Sequence, residues 1–169
     1  MQRTNFYPIL CLAAIFIFIL PQTKASVPDN PDFAGEWVLN EEKSTLGERM
    51  SFAAVGLTVI QDEGILHIDR TRTGRDGQLR TMSEEVNTNG EKTVTERENG
   101  STTSWATWSE DGTSLNIKYE ITFSRQGETF TMNRSEAWRL DDQGKVLTIE
   151  SVSSSQRGEN SLTLVYDRK

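Results

Sequence analysis

In the segment ETFTMNRSEAWRL, Phe130, Met132, Arg134, Glu136 and Trp138 recur at every second residue, so an extended chain places them on one face. A guanidinium among apolar neighbours is the arrangement that holds an anion away from water, and Glu136, two positions on, competes for the same cation. His67 is the only histidine, and ILHIDRTR sets Asp69 two residues after it, the spacing of a histidine and carboxylate pair on a strand. One histidine without a second makes a poor metal site, and no nucleophile elbow accompanies it, so His67 reads as structural or surface-exposed. Glu41-Glu42, Glu84-Glu85 and Asp141-Asp142 are adjacent pairs whose members face opposite ways on strands. They read as solvated charge, not as an acid–base dyad. We therefore expect no catalytic residue, no metal and no cofactor, and read the chain as a non-enzyme.

The 169-residue chain opens with a pattern of its own. Arg3 precedes the apolar run PILCLAAIFIFIL, from Pro8 to Leu20, and PQTKAS follows it. This is the pattern of a secretory signal peptide with cleavage near Ala25. The run is well short of the roughly 20 residues that a membrane-spanning helix needs. Leu10 before Cys11 is not the small residue of a lipid-attachment signal. The expected organisation is thus a signal peptide over 1–25, a disordered segment over 26–32 and one folded domain over 33–169, exported to the periplasm or the medium. Cys11, the only cysteine, leaves with the signal, which removes disulfides, thiolate metal sites and thiol nucleophiles from consideration. Loss of Arg3 and Lys24 takes the formal charge from −7 to −9, and so acidic a chain repels phosphate backbones, which argues against nucleic acid as a partner.

Turn signals supply the elements that must position these residues. Eight dipeptides punctuate the domain: Glu63-Gly64, Asp76-Gly77, Asn89-Gly90, Asn99-Gly100, Asp111-Gly112, Gln126-Gly127, Gln143-Gly144 and Arg157-Gly158. Glycine adopts positive φ freely, as tight hairpin turns require, and each interval fits one strand and one turn. No proline follows Pro31, so every backbone N–H beyond it is free to enter a ladder. SLNIKYEITF is the clearest strand, with Leu115, Ile117, Tyr119, Ile121 and Phe123 on one side. GLTVIQ, ILHIDRTR, KVLTIE and SLTLVYDR repeat the theme, whereas RTMSEEVNTN, EKTVTERE and STTSWATWS are polar on both faces and read as strands because of their turns. ERMSFAA, from Glu48 to Ala54, suits one short helix after the first strand. The fold class is all-β: an up-and-down antiparallel meander of about 8 to 10 strands. Closure into a barrel buries the apolar face and removes both sticky edges, with a two-sheet sandwich as the rival.

Phe33-Ala34-Gly35-Glu36-Trp37 resembles the F-x-G-x-W start of the calycins, the group of lipocalins, fatty-acid-binding proteins and avidins. The run FAGEWVLNEEKS is similar to the start of small secreted lipocalin-like proteins. The resemblance implies a lipocalin-like barrel in which Gly35 and Trp37 begin the first strand and Trp37 plugs one end, with Arg168 or Arg139 stacked on its face. SLTLVYDRK is similar to the last strand of fatty-acid-binding proteins, where an R-x-Y triplet holds a carboxylate; Tyr166 matches the Tyr, and Leu164 stands where the Arg would be.

Trp105 and Trp108 lie at odd spacing, so one faces the interior and one the outside. The candidate ligand-lining residues are Trp105, Tyr119, Phe130, Met132, Arg134 and Tyr166. By analogy with the resembled family, the leading function is a carrier of a small, mostly apolar molecule, oriented by polar groups such as Arg134 and Tyr119. The alternative is an interaction protein, an inhibitor or envelope assembly factor, acting through its loops or outer face, with the long Asn40 to Gly56 connection as its projecting element. Two N-x-S sequons, at Asn99 and Asn133, matter only in a host that glycosylates exported proteins.

Overall fold

The computed structural model describes residues 30–46, 53–156 and 158–169. The expected signal peptide, Arg157 and residues 48–52 of the expected short helix lie outside them. Ala53 and Ala54, at the end of that run, are buried and not helical. Among the described residues no helix is long and apolar enough to cross a membrane.

The glycines at 64, 77, 90, 100, 112, 127, 144 and 158 all have positive φ, and each marks a reversal or a strand boundary. The described residues form ten antiparallel strands: β1 (Gly35–Leu39), β2 (Gly56–Asp62), β3 (Ile65–Thr73), β4 (Leu79–Asn87), β5 (Thr93–Arg97), β6 (Gly100–Trp108), β7 (Ser114–Arg125), β8 (Glu128–Leu140), β9 (Val146–Ser155) and β10 (Gly158–Arg168). They form one sheet in the order β4-β3-β2-β1-β10-β9-β8-β7-β6-β5, which excludes the sandwich. The last strand zips onto the first, pairing Trp37 with Arg168, Val38 with Asp167 and Leu39 with Tyr166. The sheet curls into a nearly closed barrel whose only unladdered seam among the described strands lies between β4 and β5.

That seam departs from the hairpin expected at Asn89-Gly90. The turn forms, but its Gly90 N–H donates to the Ala106 carbonyl of β6 at 2.8 Å. The connection therefore carries the chain across to β6 instead of folding it back along β4. Side chains join the lower part of the seam: Asn87 Nδ2 donates to Thr93 Oγ1 at 2.9 Å, and Ser104 Oγ to the Glu85 carbonyl at 3.4 Å.

The end of the barrel holding both termini of the sheet is filled. Trp37 donates its Nε1–H to the Phe33 carbonyl at 3.0 Å, and the Phe33 ring stacks on Trp108 and meets Trp138 edge-on. Leu57, Val59, Leu66, Ile68, Leu115, Ile117, Leu147 and Ile149 pack around these rings. Arg168 is the cation that covers Trp37, its Cζ 4.2 Å from the ring centre, while Arg139 pairs with Glu150 on the outer face. Arg168 also donates Nη1–H to the Ala34 carbonyl and Nε–H to the Gly144 carbonyl, binding the start of β1 to the β8–β9 turn. Gly35 is required beneath it, because a Cβ there would meet Arg168 Nη1 at 2.6 Å and φ is +137°. The attachment begins upstream of Phe33, since the Pro31 carbonyl accepts from Gln61 Nε2.

This plug sets a stability hierarchy. Replacing the buried Trp37 by Ala is expected to lower unfolding free energy by about 3–5 kcal/mol, because the indole leaves a cavity. Arg168→Ala, which loses an exposed stacking contact and exposed hydrogen bonds to the Ala34 and Gly144 carbonyls, should cost less, about 1–2 kcal/mol. Urea denaturation followed by circular dichroism measures both.

Candidate functional site

Above the plug the interior turns polar, and the change follows from strand parity. On β3 the inward residues are Leu66, Ile68, Arg70 and Arg72; on β8 they are Trp138, Glu136, Arg134, Met132 and Phe130. Each strand is thus apolar at the plugged end and charged further along, and β8 turns apolar again at Met132 and Phe130. Arg70 is 4% exposed and Glu136 is 4% exposed, so both charges are removed from water and must be compensated locally.

Arg70 does this with three partners. Its Nε–H donates to Glu84 Oε1 at 2.6 Å, and its Nη2 to Glu136 Oε2 at 2.8 Å and to the Tyr119 hydroxyl at 3.1 Å. Tyr119 donates its own O–H to Glu84 Oε1 at 3.1 Å, and Trp138 Nε1–H donates to Glu136 Oε2 at 2.9 Å. Burial opposes ionisation of Glu136, but the Arg70 and Arg134 charges and the Trp138 hydrogen bond outweigh it and bring its pKa down to about 2. Burial, then the Glu136 charge, pushes the Tyr119 phenol well up, so it stays a neutral donor.

A second layer lies over this network. Arg134 rests its guanidinium 3.9 Å above the Tyr119 ring. Its Nε is 3.3 Å from Glu136 Oε1, close enough for an ion pair yet not aligned for a hydrogen bond, so that N–H has no acceptor. Arg72 Nε is likewise buried without an acceptor, and Arg72 makes no ion pair among the described residues. Its pKa is lowered by burial and by the charges of Arg70 and Arg134. Among the described residues three guanidiniums face two carboxylates here, leaving one positive charge uncompensated.

Both unsatisfied arginines line a cavity of about 490 Å³ in the upper barrel. Its apolar wall is Met82, Ile121, Phe123 and Met132; Arg97 and Glu98 stand at its edge. The volume lies within the range of small-molecule sites, roughly 300–1,000 Å³.

The candidates expected from the sequence distribute unevenly over this site. Met132 and Arg134 line the cavity. Tyr119 lies directly beneath Arg134, and Phe130 backs the cavity wall by stacking on Phe123 at 5.3 Å. Tyr166 is sealed deeper, its hydroxyl donating to the Ala54 carbonyl at 3.0 Å and its pKa raised by burial to about 12. Trp105 faces outward under Lys92, whose Nζ is 4.4 Å from the ring, because the inward parity of β6 belongs to Ser104, Ala106 and Trp108. Leu164 does face inward in the place of an arginine, and the cations come from β3 and β8 instead. His67 sits on the outer face 3.5 Å from Glu85, not from Asp69. Glu84, read as solvated, is drawn inside by Arg70. Arg70, Arg72 and Glu84 were missed by sequence reasoning, although the two-residue period of Leu66, Ile68, Arg70 and Arg72 carried the signal. Among the described residues no three His, Cys, Asp or Glu side chains gather to hold a metal ion.

No protein-family model matches the chain, and no curated protein sequence matches it. Among solved structures it is similar to the zebrafish ileal bile acid-binding protein, crystallised with cholic acid. The identity is 12% and the TM-score 0.47, over 81% of this chain and 98% of that one.

The buried network makes Glu136 the residue on which interior charge depends. Glu136→Leu leaves Arg70 and Arg134 to share the single carboxylate of Glu84 and should lower stability by about 3–5 kcal/mol. Because its folded pKa lies below the unfolded value, ionised Glu136 contributes fully above about pH 4.5, and that contribution is lost as pH falls toward about 2. Urea midpoints across this window should therefore fall less steeply for Glu136→Gln than for the wild type.

Proposed function

We propose that this protein is a secreted or periplasmic, lipocalin-like carrier that holds a small amphipathic molecule in the upper half of its barrel. The observation that carries this reading is the pairing of an apolar wall with an uncompensated cation inside one cavity. Met82, Ile121, Phe123 and Met132 take the apolar body, releasing about 25 cal/mol per Å² of apolar surface removed from water. Arg72 takes an anionic group. A buried guanidinium lacking an acceptor is costly, and a charge-assisted hydrogen bond from the ligand removes that cost. Arg134 is held in place by Tyr119 and Glu136 and offers its free edge as a second donor. Export is supported by the leader pattern ahead of the barrel.

The reading is tested with two fluorescent probes of similar apolar skeleton, anionic 1-anilinonaphthalene-8-sulfonate and neutral N-phenyl-1-naphthylamine. The anionic probe should bind about tenfold more tightly, a difference of about 1.4 kcal/mol. Arg72→Gln should erase that preference while leaving stability equal or slightly higher, since it deletes an uncompensated charge. Equal binding of the two probes by the wild type, or a preference that survives Arg72→Gln, would overturn the proposal.

A further inference from the structure

We propose that the β4–β5 seam is the doorway to the cavity and that Arg97, on its outer lip, guides anionic ligands through it. The inference rests on the carrier reading above. Everywhere else among the described strands the wall is a continuous backbone ladder, and passage there would break hydrogen bonds in register. The plugged end is blocked by Phe33, Trp37 and Trp138. At the seam, by contrast, the side-chain bridges lie low, at Asn87 with Thr93 and at Ser104 with Glu85. Above them the cavity is lined from both lips, by Met82 and Ser83 of β4 and by Arg97 to Thr102 of the β5–β6 hairpin.

The charges along this path are ordered. Arg97 is exposed at the lip and makes no ion pair among the described residues. Arg72 and Arg134 lie inside, and Glu84, an inner carboxylate that lines the cavity, is already held by Arg70. Glu98 also lines the lip, so the entrance is not uniformly cationic. β6 is held against β7 by a ladder that runs from Gly100 with Phe123 to Trp108 with Leu115, so the hairpin's lip stays fixed to the wall. The seam admits ligand between β4, whose residues 79–83 are exposed, and the β5–β6 hairpin.

Stopped-flow fluorescence with 1-anilinonaphthalene-8-sulfonate tests the route. A charge on the path alters association and its salt dependence more than release. Arg97→Gln should slow association about threefold at low ionic strength, with the difference vanishing at high salt and the release rate unchanged. Arg125→Gln, an equally exposed arginine at the β7–β8 turn that does not line the cavity, should leave both rates at wild-type values. Arg97→Gln with wild-type association, a loss expressed only as faster release, or slowing by Arg125→Gln instead would each overturn the doorway. Absence of any probe binding by the wild type would instead remove the carrier reading itself.

Discussion

Three registered pairs between β1 and β10 make an interior out of what would otherwise be an open ribbon of strands. Their weakness as a short ladder is offset from both sides. Inside, Trp37 and Phe33 fill the end of the barrel; outside, Arg168 covers the indole and ties the start of β1 to the β8–β9 turn. Beyond the ladder the Asn40 N–H reaches the Val165 carbonyl, and Thr45 and Thr163 exchange two further backbone bonds. With no disulfide available to the folded domain, this packed end carries the closure.

Closure then creates a problem that the upper barrel solves. The ten-stranded wall encloses more volume than the plug fills, and charged side chains are among those that reach into the remainder. Burying Arg70 and Glu136 is tolerable because each is paired with the other and further hydrogen-bonded, Arg70 to the Tyr119 hydroxyl and Glu136 to the Trp138 indole. Such a network specifies one arrangement of the strands as much as it stabilises them. It also stops short of neutrality. The excess positive charge of Arg72 faces the cavity and not the network, and that asymmetry separates a binding site from a polar core.

The strands and turns were legible because they obey local rules. Eight glycines with positive φ and a two-residue period in SLNIKYEITF need nothing distant to be read. The seam was not legible. Asn89-Gly90 has the composition of a hairpin turn, and only the capture of Gly90 by Ala106, sixteen positions on, turns it into a crossing. Similarly, the parity that placed Arg134 with Glu136 could not say which face was inward, and the odd spacing of Trp105 and Trp108 could not say which indole the barrel would enclose.

By itself the sequence determined the all-β meander and its closure, because turn chemistry and alternation act over a few residues and a long open sheet leaves two sticky edges; the plugging tryptophan was legible only through the resemblance of the Gly-x-Trp start. Only the tertiary structure decided the site. Arg72 of β3, Arg134 of β8 and the lip at Arg97 are far apart in the chain and meet through curvature of the sheet. Which arginine keeps a free edge is settled by how many carboxylates arrive beside it, and that count exists only after the strands have wrapped.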